Sequence, residues 1–427
     1  MAGANREHHV TQDPEWRRLC AAPMRGAMRG AMRIAIISGE YPPLEGGVGD
    51  FTQTLGLELL RQGHELHILT GKQGAATVSE EEGLTIHRCI KHWGFSAYAQ
   101  IARWIANVQP DVINIQYQPA IYEMKGAIHL LPRWQQRRFT QPLITTFHDL
   151  RVPYLFPKAG RLREWAVLQL AKHSQGVILT NDEDYATITQ KLHAAQPGPR
   201  YQVIPIGSNI APAPPAGYER TAWRSGQQFA PQDFLIGFFG FLNRSKGVET
   251  LLDALAQLRQ EGVPAHLLLI GGQTGSSDPT NRAYADEITA RIAAARLERY
   301  VHRTGFATPA EVSAALLACD ACALPYRDGV SLRRGTLHAA LAHGQAIITT
   351  APQTPSKHFR DGENMLLVSP DNPAELAEAL RELWRAPELR AELGQQAKRL
   401  AAEFGWNRIA AHTVGFFRQL CRDVDGV

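Results

Sequence analysis

Residues 34–52 read IAIISGEYPPLEGGVGDFT: an apolar run that breaks into a glycine-rich loop and then opens a helix. The run Ile34–Ile37 is too short to cross a membrane and suits a buried parallel strand. Gly46, Gly47 and Gly49 follow it, then Asp50 and the helically spaced Phe51, Leu55 and Leu59. Glycines let a backbone approach a bound group without Cβ clashes. The helix start beyond them offers free N–H groups and the positive end of a dipole.

Working outward, strand-like runs alternate with amphipathic stretches from Arg33 onward: Ile34–Ser38, Glu65–Thr70, Thr85–Cys89, Asp111–Ile115, Leu143–Phe147, Gly176–Thr180 and Gln202–Ile206. This alternation predicts a parallel, doubly wound sheet. It breaks at SNIAPAPPAGYERTAWRSGQQFAPQ (208–232), whose proline, glycine and polar content predicts a linker. A second α/β series starts at Leu235–Gly240 and ends in a helical stretch from Asn372 onward. The expected organisation is a leader over 1–31, a Rossmann-like half over 32–207, the linker over 208–232, a second Rossmann-like half over 233–405, and a last helix over 406–427 that returns to the first half. The fold class is therefore α/β, with two Rossmann-like domains facing each other across a cleft, and ligands expected at the carboxyl ends of the strands.

Composition narrows the function. The chain has 427 residues, 44% of them hydrophobic, and lacks an apolar run of membrane-spanning length. A net charge of +4 is small for this length and argues against a dedicated nucleic-acid binder. Five scattered cysteines predict a reducing, cytoplasmic setting; Cys319 and Cys322 form a CxxC, but their apolar surroundings favour packing over metal or redox work. The stretch 1–31 lacks the apolar core of a secretory signal and reads as a disordered leader or as sequence upstream of the true start. The opening strand, glycine loop and helix point to a nucleotide or nucleotide-sugar enzyme.

GFFGFLNRSKGVETLLDAL (237–255) is a second strand, turn and helix, with Lys246 and Gly247 at the turn and Arg244 nearby. A lysine there reaches a diphosphate, or is simply a solvated residue at a helix end. This element, the GGVGDF loop, TTFHD (145–149), VIPIGSN (203–209), RTGF (303–306) and DGENMLLVSPDNP (361–373) occur in this order. Together they resemble the retaining nucleotide-sugar glycosyltransferases of family 4, which have the GT-B fold, over about residues 32–422. The resemblance implies that Gly46 and Gly47 approach the donor's phosphate side. It puts His148 on the donor sugar, Lys246 on the diphosphate, Gly272 near the nucleotide and Gly305 beside the base. It also implies retention of configuration without an assigned protein nucleophile.

One segment departs from the family. Two glutamates usually flank the helix start that follows the strand ending in proline; here the stretch is PYRDGVSLRRGTLHAALAHGQAI (325–347). An ungapped match puts His338 where the ribose-binding glutamate is expected and Val330 where the first would stand. The remote arginine of the family is also replaced, by Phe241. We read the segment as a rebuilt site, DGxSxRRG, in which Asp328, Ser331, Arg333 and Arg334 bind the donor and Arg333 or Arg334 supplies the missing cation; the plain alternative is a pair of surface arginines. No metal motif is evident, because NDED (181–184) fits an acid-rich helix start, so no cofactor or metal is expected.

On the acceptor side, Arg133, Trp134, Arg137 and Arg138, and then Tyr154, Phe156, Lys158, Arg161 and Arg163, mix aromatic and basic residues. They suit an anionic membrane surface or an acidic acceptor, or form an ordinary solvated helix and loop. The expected activity is hexose transfer from a nucleoside diphosphate to a glycan or lipid-linked acceptor. A sugar-nucleotide epimerase or hydrolase, or a non-catalytic nucleotide-sugar binding protein, would share the architecture.

Overall fold

The computed structural model describes residues 30–44, 46–150, 160–192, 198–272 and 279–425. The expected leader up to residue 29 lies outside them, as do Tyr154, Phe156 and Lys158 and the side chains of Arg161 and Arg163.

The first half carries eight strands: β1 Arg33–Ser38, β2 Glu65–Gly71, β3 Thr77–Glu81, β4 Leu84–Ile90, β5 Val112–Tyr117, β6 Leu143–Phe147, β7 Gly176–Leu179 and β8 Arg200–Val203. They lie in the order β3-β4-β2-β1-β5-β6-β7-β8. Every pairing is parallel except β3 with β4; the sequence reading anticipated β4 as Thr85–Cys89 but missed the edge strand β3, because TVSEE lacks an apolar run. Ile34, Ile36 and Ile37 of β1 are wholly buried, since helices cover both faces of the sheet.

The second half carries six parallel strands: β9 Phe234–Phe239, β10 Ala265–Ile270, β11 Val301–Gly305, β12 Ala321–Leu324, β13 Ile347–Thr350 and β14 Leu366–Val368. Their order is β11-β10-β9-β12-β13-β14. The strand order therefore reverses between β1 and β5 in one sheet and between β9 and β12 in the other. Loops that leave such neighbours in opposite directions open a crevice at the carboxyl ends of the strands.

Part of the expected linker belongs to the second half. Arg220–Gly226 is a helix that contacts the helix Pro309–Ala318, and its buried Arg224 donates to Asp320 at 2.9 Å. Glu219 caps it by accepting from the amides of Thr221 and Ala222. A window rich in proline and glycine reads as linker although its central 7 residues are helical.

The last helix, Trp406–Asp425, lies on the helix Gly47–Arg61 of the first half. Its Ile409, Val414, Phe416, Phe417 and Leu420 share one core with Ile34, Phe51, Leu55 and Leu59. At its start, the Trp406 indole donates to the Ser208 carbonyl at 2.7 Å and lies against Phe51. Because Phe417 is fully buried in this seam, Phe417→Ala will destabilise the first half by about 3 kcal/mol. A denaturant titration followed by tryptophan fluorescence will show an earlier first transition.

Candidate active site

The two switch points face each other across a cavity of about 340 Å³. From the first half come Glu40 after β1, Gln118 after β5, His148 and Asp149 after β6, and Gly47, Val48 and Phe51 of the glycine-loop helix. Arg333, Arg334 and Gly335 wall it from the second half; Ile206, Gly207, Asn209 and Trp406 close one side.

His148 is aimed by a buried polar chain. Asn114 Nδ2 donates to the Ile144 carbonyl, so its Oδ1 accepts, and Gln116 Nε2 donates to it. Gln116 Oε1 is then the acceptor left for His148 Nε2, at 2.8 Å. This order makes Nε2 the protonated nitrogen and leaves Nδ1 as an acceptor. Burial holds the ring neutral by lowering its pKa to about 4. The Phe51 edge packs against it, with ring centres 4.6 Å apart.

The glycine loop is already occupied. Glu40 Oε1 accepts from the Gly49 amide at 2.9 Å, and a Cβ placed on Gly46 would lie 2.0 Å from that same oxygen. Gly46 therefore makes room for an internal carboxylate, where the sequence reading expected a donor phosphate; Gly47 does wall the cavity. Burial pushes the Glu40 carboxyl above the usual range and Asp50 adds to this, against the opposing pull of the Gly49 and Val48 amides.

Across the cavity, the DGxSxRRG segment brings three charges together. Arg334 Nη2 donates to both oxygens of Asp328, and Arg333 Nη2 reaches Asp328 at 3.2 Å. Their side chains are only 17% and 8% exposed, so they are cleft residues and not a solvated surface pair. The Arg334 guanidinium stacks on Tyr326 at 4.8 Å, and Tyr326 is tied to Thr336 by a 2.6 Å hydroxyl pair. Arg334 Nε is buried and, among the described residues, has no hydrogen-bond partner. Arg333 also lies 3.8 Å from Glu183 of the first half, the acid-rich helix start where Asn181 caps Asp184. Among the described residues, no cluster of three or more acidic, histidine or cysteine side chains is arranged to hold a metal.

Lys246 is set beside this wall. A Cβ on Gly240, whose φ is +115°, would fall 2.3 Å from Lys246 Nζ and 2.7 Å from the Thr336 methyl. The ammonium thus fills the slot that Gly240 leaves next to the first turn of the helix Gly335–Ala342. Burial and the neighbouring Arg334 charge lower its pKa to about 7.

The other expected donor residues are placed elsewhere. Arg244 is tied to Glu287 at 2.5 Å and stacks on Tyr284, outside the cavity wall. His338 is buried, with Nε2 on the Leu332 carbonyl and its ring against Phe404, so it faces the core. Ser331 stays within its turn, near the Arg333 amide. Gly272 lies against the Phe241 ring, and Gly305 bridges to Gly271 at the end of β11. Sequence reasoning missed Glu40, Gly240 and the Asn114–Gln116 chain. Alternating polar residues inside an apolar strand, N-I-Q over 114–116, were the available signal for the last.

Two family models match the chain in tandem: "Glycosyl transferase 4-like domain" over residues 46–207 and "Glycosyl transferases group 1" over residues 219–400. The chain belongs to the family-4 type of glycosyltransferases. It is 25% identical over 415 residues to the D-inositol 3-phosphate glycosyltransferase of Rhodococcus erythropolis, covering 91% of each chain. Sucrose-phosphate synthase from Thermosynechococcus elongatus has the same fold, with a TM-score of 0.72, 21% identity and coverage of 91% of this chain and 99% of that one. HepE of Anabaena, in complex with UDP and glucose, superposes with a TM-score of 0.71 at 18% identity, covering 91% of this chain and all of its own. This glycosyltransferase accordingly has the GT-B fold and is an enzyme of sugar transfer.

The Lys246 environment gives a direct test. Replacing Arg334 by methionine removes a neighbouring positive charge, so the Lys246 pKa will rise from about 7. The shift is readable by carbon-detected NMR of labelled lysine side chains.

Proposed function

We propose that this glycosyltransferase moves a hexose from a nucleoside diphosphate to a hydroxyl acceptor with retention of configuration and without a metal. One observation carries the donor side: Lys246 and Arg334 stand together at the first turn of Gly335–Ala342, with Asp328 neutralising only part of the local positive charge. A diphosphate there would meet two cations and helix amides, and the same groups would stabilise charge on the leaving oxygens as the glycosidic bond breaks. The neutral His148 ring offers an acceptor for a sugar hydroxyl, supported by the buried Asn114–Gln116 chain. The resemblance supplies retention, and the HepE complex with UDP and glucose supports a donor of this class.

Thermal-shift titration across nucleoside diphosphates and their sugars will find a stabilising ligand. Arg334→Ala and Lys246→Met will each weaken that ligand by at least about tenfold, the loss of one charge-assisted contact. If neither does, the diphosphate is held elsewhere. Arg333→Ala, whose guanidinium is shared with Asp328 and Glu183, will have the smaller effect.

The lowered Lys246 pKa adds a pH signature. Bound diphosphate favours the ammonium and raises that pKa, so binding near pH 7 and above takes up a proton. Affinity will therefore fall as pH rises above 7. Calorimetry in buffers of different ionisation heat will register the uptake, and Lys246→Arg, charged throughout, will lose it.

Arg133, Arg137 and Arg138 are exposed, with Arg138 stacked on Trp134 at 4.6 Å, and we propose peripheral contact of this turn with anionic bilayers. Sedimentation with vesicles containing anionic lipid will show binding that is lost at high salt; salt-insensitive or absent binding removes the idea.

A further inference from the structure

β5 carries two wholly buried amides, Asn114 and Gln116, which the two-residue spacing puts on one face of the strand. They pair with Ile144 and Thr146 of β6, the strand that leads into His148. Amides buried inside a sheet cost free energy that valines in their place would not. Here the nitrogen and the oxygen of each are engaged, and the engagement has a direction. It starts at the Ile144 carbonyl, which can only accept. Asn114 Nδ2 donates to it at 3.3 Å and to the Thr146 hydroxyl at 3.0 Å. Asn114 Oδ1 then accepts from Gln116 Nε2, and Gln116 Oε1 from His148 Nε2 at 2.8 Å. Turning either amide over would set oxygen against oxygen. The His148 main-chain amide donates to the Tyr117 carbonyl at 3.0 Å and Phe51 packs on the ring, so the imidazole is held as well.

We infer that Gln116 is a positioning residue for sugar transfer, with Asn114 acting through it: the two amides carry the polarity of one buried carbonyl to His148 and fix its proton on Nε2, so that Nδ1 meets the donor sugar as an acceptor. This rests on the donor reading above, in which the His148 ring accepts from a sugar hydroxyl. The choice of tautomer matters to the chemistry. A hydroxyl that donates to nitrogen becomes richer in electrons, which suits a sugar gaining positive charge as its bond to the diphosphate breaks. A hydroxyl that accepts from an N–H becomes poorer in them. Neither amide touches the cavity itself, so both act only by way of the ring.

The test starts on the unaltered full chain, labelled with nitrogen-15 in its histidine rings and studied by long-range proton–nitrogen NMR at about pH 8, where a neutral imidazole carries one proton. The His148 signals, assigned by their loss in His148→Asn, will show a protonated Nε2 and a bare Nδ1. A proton found on Nδ1 overturns the inference without any variant at Gln116. Gln116→Met removes the acceptor, and Asn114→Leu, one step further back, frees the Gln116 amide to turn over; both will populate the tautomer protonated on Nδ1. Turnover of UDP-glucose, GDP-mannose and ADP-glucose, followed as release of the nucleoside diphosphate, will fall about tenfold in both, the loss of one hydrogen bond to the reacting sugar. Calorimetry will show UDP, GDP and ADP binding as they do to the unaltered protein. Where turnover is too slow to follow, the affinity of each nucleotide sugar relative to its nucleoside diphosphate decides, and it will drop severalfold. A tautomer unmoved in both variants overturns the inference, as does a moved tautomer that leaves turnover and this ratio unchanged. A variant that fails to fold leaves the other, and the unaltered protein, to decide. A protein that no nucleoside diphosphate stabilises loses the donor reading, whereas one that binds them with its His148 proton on Nδ1 loses this inference alone.

Discussion

The repulsion between the Lys246 ammonium and the Arg334 guanidinium is the constraint around which the second half of the cleft is built. Left in water, the two groups would drift apart at no cost. Here Lys246 is held in the slot left by Gly240, and Arg334 is pinned by Asp328 and by the face of Tyr326. Tyr326 is tied in turn to Thr336, whose methyl closes the Gly240 slot from the other side. Each element of this cluster holds another in place, so the cations cannot relax away from one another. Burial of the ammonium first, and the Arg334 charge beside it second, make this confined positive charge costly and lower the Lys246 pKa. On the donor reading proposed above, the same cost would become binding and transition-state stabilisation once a polyanionic leaving group arrives.

The different furnishing of the two walls follows from topology. In each sheet, the strand-order reversal frees two loops at the carboxyl edge, and chain geometry points the two crevices at each other. One crevice is furnished by β1 and β5–β6 with Glu40, Gln118 and His148, the other by β9 and β12 with Lys246 and the DGxSxRRG segment. The Arg333–Glu183 contact joins the two halves across the cleft, and the Trp406 and Phe51 rings pack together at one side of it.

Much of the framework could be read from the chain, because parallel strands buried on both faces appear as unbroken apolar runs: Ile34–Ser38 against β1, Leu143–Phe147 matching β6 residue for residue. The edge strand β3 escaped, since a short solvated strand carries no such run, and Arg220–Gly226 was hidden by its proline-rich flanks. At the site, residue type was informative where polar side chains line the cleft: Arg333, Arg334 and His148 do wall the cavity. It failed where a side chain's partner is distant in sequence. Nothing near Arg244 announces Glu287, and nothing in the glycine loop announces that Gly46 is small for the sake of Glu40.

The buried His338 shows what the altered segment has exchanged. The resemblance assigns that position to a carboxylate facing the ribose, yet His338 turns its Nε2 to the Leu332 carbonyl and its ring to Phe404. Burial keeps it neutral by lowering its pKa to about 4, so it supports the loop from beneath instead of reading a hydroxyl. The carboxylate that remains, Asp328, is spent on the two arginines. On the donor reading proposed above, recognition at this helix would rest on phosphate-gripping cations in place of hydroxyl-reading acids. Ion pairing reaches further and discriminates less than a directed hydroxyl contact. On that reading the RRG turn would supply affinity common to diphosphate donors, and discrimination among nucleotides and sugars would fall to other walls of the cleft, His148 among them.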